Sequence, residues 1–216
     1  MINIHTHQVS QHEGFAIQSL YQNFESMSTL SYYSIGIHPR FIHSDTYQQE
    51  FEKIKLLSQK ENVLAIGECG LDRLSSTDFK LQEKIFIDHI NLANQLAKPI
   101  IIHCVKAYRE TLQLLKSYQI NVPVIFHGYN NNEETAQQII QEKYMLSFGK
   151  SLFNTRMETV FSKMPIDKIF LENDSGEKDI KEVYDQASKI KNISLEQLSL
   201  QMKKNCTRVF NKTFYE

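Results

Sequence analysis

The sequence predicts an α/β fold in which eight parallel strands, buried on both faces, alternate with amphipathic helices. Two observations carry this prediction: short apolar runs recur along the chain, and stretches with apolar residues at helical spacing lie between most of them. Strands that alternate with helices form right-handed βαβ units, and eight such strands fit a closed TIM-type (β/α)8 barrel. We expect a single domain over residues 1–216, because no Gly/Ser-rich or Pro-rich linker interrupts the chain.

The predicted strands are continuous apolar runs, as is typical of parallel strands that are covered on both faces. They lie at residues 2–5, 15–20, 32–37, 63–67, 99–103, 122–127, 144–148 and 168–171. Only residues 25–30 separate the second strand from the third, so the crossover helix there is expected to be short or missing. An open doubly wound sheet is the alternative, because a barrel of this type usually takes ~250 residues.

Helical stretches fill most of the intervals between these strands. Residues 77–96 place Phe79, Phe86 and Ile90 on one face and stop before Pro99. Further along the chain, Ser194 begins a capping box with the Gln three residues later. The predicted helices cover residues 46–59, 77–96, 107–118, 132–142, 155–163 and 180–191, and a last helix runs from 194 to about residue 210.

Composition excludes several classes of protein. The formal net charge is -1, from 24 basic and 25 acidic side chains, which is unlike a strongly basic nucleic-acid binder. No apolar run reaches the ~20 residues that a membrane span requires, and no signal peptide precedes the first strand. The three cysteines form no CxxC pair and predict buried thiols in a reducing, cytoplasmic setting. We therefore expect a cytoplasmic protein with no membrane contact and no obligate protein partner.

Histidine and acidic side chains recur where the predicted strands end. Taken singly, each is more often a structural residue, but six metal-binding side chains at the same end of the strands favour a shared site. His5 and His7 lie two apart, so both face the same side of their strand. Imidazole and carboxylate together suit Zn²⁺, Mn²⁺ or Fe²⁺, whereas Mg²⁺ prefers oxygen ligands. The predicted ligands of two divalent ions are His5, His7, Glu68, His103, His127 and Asp174.

The motifs around these residues resemble the TatD-type metal-dependent hydrolases, often called TatD DNases, of the amidohydrolase-like barrel superfamily. The similarity covers nearly the whole chain, and its most specific stretches are Gly-Ile-His-Pro at 36–39 and Gly-Glu-Cys-Gly-Leu-Asp at 67–72. The other matching segments are Asn-Ile-His-Thr-His at 3–7, Phe-Lys-Leu-Gln at 79–82, Lys-Pro-Ile-Ile-Ile-His at 98–103, Phe-His-Gly at 126–128, Ser-Phe-Gly at 147–149, Leu-Glu-Asn-Asp at 171–174 and Asn-Cys-Thr-Arg-Val-Phe at 205–210.

The resemblance implies a hydrolase with two metal ions. In that family, one ion would be surrounded by the residues that match His5, His7, Glu68 and Asp174. Glu68 would bridge to the second ion, which His103 and His127 complete. The family's activities centre on phosphodiester hydrolysis, so the expected substrate is a phosphate ester, either the 3′ end of single-stranded DNA or a small ester. An amide or lactone hydrolase, and a metal-binding protein with little activity, are the alternatives.

Further residues are predicted near the chemistry. Asp174 is expected to deprotonate the attacking water, and His38 to contact the substrate phosphate or leaving group, although a turn before proline is an equal alternative. Asp72 either orients a ligand histidine or caps the next helix. Arg73 and Lys106 are candidate phosphate contacts or ordinary surface charges. The loop at 175–179 leads almost directly into a helix, where the family has a long proline-containing loop.

Overall fold

All eight predicted strands form in the computed structural model, which describes residues 1–8 and 14–213. The strands are β1 (Ile2–Thr6), β2 (Phe15–Leu20), β3 (Tyr32–Ile35), β4 (Val63–Asp72), β5 (Ile100–Val105), β6 (Val124–Phe126), β7 (Met145–Phe148) and β8 (Ile169–Leu171). They follow one another in the sheet in chain order, and a bridge between Thr6 and Asp174 places the end of β1 beside the chain that leaves β8. This is the strand order of a (β/α)8 barrel, as predicted, and it excludes a doubly wound sheet, whose strand order is permuted.

The seven predicted helices are confirmed, with ends that differ from the prediction by at most two residues. Local signals define these ends: Asp78 caps α2 by accepting a hydrogen bond from the backbone N–H of Leu81, and Asp179 and Ser194 begin capping boxes. The helices are α1 (Tyr47–Leu57), α2 (Phe79–Leu96), α3 (Tyr108–Ser117), α4 (Glu133–Gln141), α5 (Thr155–Lys163), α6 (Ile180–Lys191) and α7 (Leu195–Phe210).

The shortened crossover between β2 and β3 is also confirmed. A single 3-10 turn, Phe24–Ser26, replaces a full helix there, with Asn23 in the left-handed conformation before it. Two further 3-10 turns, Lys150–Phe153 and Ile166–Lys168, lie between β7 and β8. In the part of the chain that the structure describes, no helix is both long enough and apolar enough to cross a bilayer.

The fourth strand is longer than predicted. The prediction ended it at Gly67 and placed Glu68 just beyond it, whereas β4 continues to Asp72. Its second half pairs with β5, joining Gly70 to His103 and Asp72 to Val105, after a register shift that follows Ile66. Glycine often marks the end of a strand or a bulge. In β4 the glycines instead allow its backbone to lie close to that of β5, and the strand continues. Glu68 therefore lies inside the strand.

Two compact units make up the chain, and the divisions fall within β2 and β6. Unit 1 comprises Met1–Gln18 and Phe126–Glu216, and unit 2 comprises Ser19–Ile125. In unit 1 the strand β7 pairs with β8 in parallel; in unit 2 the strand β4 pairs in parallel with β3 and β5. Fully buried side chains fill each core, such as Phe148 and Phe161 in unit 1 and Ile66 and Phe86 in unit 2. The single domain over residues 1–216 stays a prediction.

Candidate metal centre

In unit 1, His5, His7 and Asp174 meet where β1 and β8 end. His5 is fully buried, and its Nε2 atom lies 3.7 Å from Oδ1 of Asp174, while Nε2 of His7 lies 3.5 Å from the same oxygen. The backbone holds this arrangement: the N–H of Asp174 donates to the carbonyl of His5, and the N–H of His7 donates to the carbonyl of Asp174. The ligand atoms of the three residues all lie within 4.8 Å of one another, which fits a metal ion.

His127, at the end of β6, belongs to the same unit. Its ring stacks on that of His5 with 4.0 Å between the centroids. Its Nδ1 atom lies 3.4 Å from Oε1 of Glu172, an oxygen that also accepts a hydrogen bond from the N–H of Gly128. Because an ionised carboxylate only accepts, Nδ1 of His127 carries the proton, and the lone pair on Nε2 is left for an ion.

Glu172 is a residue of the candidate site that the sequence analysis did not identify. Burial raises the pKa of its carboxyl, but the hydrogen bond from His127 and the electrostatic attraction of His127 and His5 outweigh burial and leave the pKa below its usual value. The side chain therefore stays ionised although it is buried. An acidic residue immediately after a buried apolar strand was the available signal, because such a carboxylate requires a partner.

In unit 2, Glu68 lies between two histidines. Its Oε1 atom is 2.8 Å from Nδ1 of His103 and 3.1 Å from Nε2 of His38. Nδ1 of His38 accepts a hydrogen bond from the N–H of Arg40, so a neutral His38 carries its proton on Nε2. His38 is thus a hydrogen-bond donor that faces Glu68, and it has no lone pair directed at an ion there.

Asp72 contacts His103 on the other side of its ring. Its Oδ2 atom is 3.1 Å from Nε2 of His103 and accepts a hydrogen bond from Nε of Arg40 at 2.5 Å. Burial raises the pKa of this carboxyl, but the hydrogen bonds from His103, Arg40 and the N–H of Leu74 bring it well below the usual range. Each ring nitrogen of His103 therefore lies within hydrogen-bond distance of a carboxylate oxygen, Nε2 of Asp72 and Nδ1 of Glu68. The alternative role of Asp72 as a helix cap is wrong, since Asp78 caps α2.

The two predicted phosphate contacts receive different environments. Arg73 pairs with Glu110 at 2.6 Å and lies over the ring of Phe79, 4.2 Å from its centroid, so a substrate would compete with both. Lys106 is exposed and follows β5 with a left-handed backbone. Their contact with substrate stays a prediction.

The three thiols are free and buried, as predicted. Burial raises the pKa of Cys104 to about 12 and that of Cys69 well above its usual value, so neither is a thiolate at neutral pH. Both therefore lack the charged form that binds metals, although each is adjacent in sequence to a predicted ligand.

Comparisons with known proteins identify the family. The model of the family described as TatD related DNase matches residues 2–211. A protein of Buchnera aphidicola subsp. Baizongia pistaciae, named an uncharacterized metal-dependent hydrolase, is 30% identical over 200 residues, which cover 84% of this chain and 75% of that protein. YcfH of Escherichia coli K12, with the same description, is 26% identical over 197 residues, covering 83% and 73%.

Solved structures share the fold. The crystal structure of YjjV, a TatD homologue from Escherichia coli K12, superposes with a TM-score of 0.81 at 19% identity over 92% of this chain and 87% of that one. A TatD family hydrolase from Entamoeba histolytica gives a TM-score of 0.78 at 21% identity over 91% and 84%. The family model and the sequence relatives extend this likeness beyond the fold, and the chain therefore belongs to the TatD family of metal-dependent hydrolases.

Proposed function

We propose that the chain is a phosphodiesterase of the deoxyribonuclease type that acts with two divalent ions, Zn²⁺, Mn²⁺ or Mg²⁺, in the cytoplasm. The observation that carries this proposal is the convergence of His5, His7 and Asp174 on one point of unit 1, with Glu68 and His103 paired in unit 2. Imidazoles whose second nitrogen is held by a buried carboxylate are typical of metal sites. The family's described activity supports a phosphodiester as substrate.

The ligands are assigned to two ions as the resemblance implies. His5, His7, Glu68 and Asp174 would hold the first ion, and Glu68, His103 and His127 would hold the second. When bound, the ions lower the pKa of water and polarise phosphoryl oxygens.

The chain's own groups would supply orientation and proton transfer. The side chain of Asp174 is 33% exposed, so it can reach a water on the open side of the site and take its proton as the new P–O bond forms. His38 would exchange the contact of its Nε2–H with Glu68 for one with a phosphate oxygen, and the leaving alkoxide takes a proton from solvent as the ester bond breaks. Glu172 and Asp72 hold the rings of His127 and His103 in the orientation that binding requires.

A substrate panel tests this proposal. The protein is purified without added ions, its metal content is measured, and it is then assayed with Mn²⁺, Zn²⁺ and Mg²⁺ on single-stranded oligonucleotides, simple phosphate diesters, an amide and a lactone. We expect phosphodiester turnover that His5→Ala and His103→Ala abolish. Turnover of the amide or lactone alone would establish the alternative hydrolase, and no turnover on any substrate would indicate a metal-binding protein.

A further inference from the structure

A pair of stacked aromatic rings, of which Phe41 is exposed and Tyr21 is half-buried, lies beside His38. Tyr21 directly follows β2, and Phe41 lies in the loop after β3. Their rings are stacked, with 4.5 Å between the centroids and 6° between the planes. The ring of Phe41 lies 5.2 Å from that of His38, yet Phe41 is 46% exposed. Nearly half of Phe41 thus stays exposed although Tyr21 stacks on one face of its ring.

Arg40 supplies a positive charge next to this pair. Its N–H donates to Nδ1 of His38 and its Nε donates to the buried Asp72, so both its backbone and its guanidinium are anchored to the site. The Nε bond uses one of five N–H donors, and the side chain is 49% exposed. A hydrogen bond also holds the loop after β3 in place, because the hydroxyl of Ser75 donates to the carbonyl of Pro39.

We propose that Tyr21, Phe41 and Arg40 form a subsite for one nucleotide, in which the base stacks on Phe41 and the phosphate takes N–H donors of Arg40. Every base has a flat face that stacks on an aromatic ring, and a guanidinium binds phosphate through paired donors. A subsite of one base and one phosphate also suits a chain whose net charge is -1, since a long polynucleotide track requires many cations. This inference rests on the proposed function and specifies its substrate as a nucleotide.

A second exposed phenylalanine provides the control. Phe153 is 41% exposed in unit 1, and its ring is covered by Nζ of Lys178 at 4.7 Å from the centroid. It therefore matches Phe41 in exposure but lacks a stacked aromatic partner among the described residues. Substituting each by leucine keeps the apolar character and removes the ring.

The experiment measures the binding of thymidine 5′-monophosphate and 2-deoxyribose 5-phosphate to metal-loaded protein by calorimetry. Both ligands carry the same phosphate, so the ratio of their affinities isolates the base. We expect thymidine 5′-monophosphate to bind about tenfold more tightly, in line with ~1–3 kcal/mol per stacked base. Phe41→Leu should remove this preference and leave the affinity for the sugar phosphate unchanged. Phe153→Leu should change neither affinity.

Arg40→Gln should weaken the binding of both ligands equally, and Arg40→Lys should restore part of the lost affinity.

The two proposals can fail separately. Equal affinity for the two ligands in the unmodified protein, or the same effect of Phe41→Leu and Phe153→Leu, would overturn the subsite whatever the turnover. Absence of phosphodiester turnover, with the base preference present, would overturn only the proposed reaction. Binding of the dinucleotide thymidylyl-thymidine shows which natural ligand the subsite takes. Tighter binding than that of the mononucleotide indicates the end of a nucleic-acid chain, and equal binding indicates a free nucleotide. Both results support the subsite.

Discussion

Three histidines of this protein have their protons placed by a neighbour. His103 faces Asp72 with Nε2, His127 faces Glu172 with Nδ1, and Nδ1 of His38 accepts a backbone N–H. His127 thus donates from Nδ1, His38 keeps its donor on Nε2, and His103 has a carboxylate oxygen at each ring nitrogen. Identical side chains thus receive opposite roles, because a neutral imidazole has one donor and one acceptor and its neighbour determines which nitrogen is which.

Asp72→Asn is expected to weaken metal binding about 10–100-fold, because an amide can present its NH₂ to His103 and change the nitrogen that carries the proton. The measurement is competition with a chelating dye, together with turnover of a phosphodiester. Asp78→Asn is the matched control, since it makes the same change at the cap of α2, where asparagine caps equally well. Equal metal affinity in both variants would show that Asp72 does not orient His103.

His89 is expected to make stability depend on pH. It is buried, its Nδ1 lies 2.7 Å from the carbonyl of Ile85 and its Nε2 accepts the N–H of Ile37, and burial lowers its pKa to about 4. The unfolded chain, with a histidine pKa of about 6.5, binds more protons below that pH. Stability is therefore complete above pH 6.5 and falls toward pH 4, by at most about 1.4 kcal/mol per pH unit.

His89→Gln should flatten this dependence, since glutamine accepts the same N–H but does not titrate. Urea unfolding midpoints between pH 4 and pH 7 measure the effect, and exposed His43→Gln serves as the control. If His89→Gln and the unmodified protein lose stability in parallel, the buried imidazole does not cause the loss.

At the level of elements, the pairing of β4 with β5 determines where Glu68 and His103 lie. Gly70 opposes His103 in this pairing, with φ +138°, and a Cβ atom built on it would lie 2.1 Å from the carbonyl oxygen of His103. A side chain here would therefore move the strand that carries His103, a predicted metal ligand. The sequence analysis ended this strand at Gly67, and Gly70 is a second glycine that lets the strand continue beside β5.

Gly70→Ala is expected to destabilise the fold by at least ~1–3 kcal/mol, from backbone strain and the collision together, and to weaken metal binding through His103. Urea unfolding and chelator competition measure the two effects. Gly128→Ala provides the comparison, because it also has positive φ, at 57°, but its Cβ would meet nothing closer than 3.7 Å. Similar losses in the two variants would contradict a role for the collision.

At the level of the whole molecule, ligands come from strands far apart along the chain. Ions that bind only the folded chain stabilise it, by about 2.7 kcal/mol at a concentration of 100 times the dissociation constant. We expect Zn²⁺ and Mn²⁺ to raise the melting temperature more than Mg²⁺ at equal concentration, because four of the predicted ligands are imidazoles. Thermal melts with and without EDTA test this, and a His5→Ala/His103→Ala variant should show no shift. A larger effect of Mg²⁺ would argue for an oxygen-rich site instead.

The sequence by itself determined the order of strands and helices, the helix ends and the position of His127 at the end of β6, because apolar periodicity and capping are local and the family motifs are short; β1 and β5 run one and two residues past the ends predicted at His5 and His103. Only the tertiary structure placed Glu68 inside β4, since glycine looks like a strand end until the partner strand is known. It alone identified Glu172, the contacts of Arg40 with Asp72, and the stack of Tyr21 on Phe41. The physical reason is the same in each case: whether a side chain serves a site depends on the groups it faces, and those groups lie on other strands and loops.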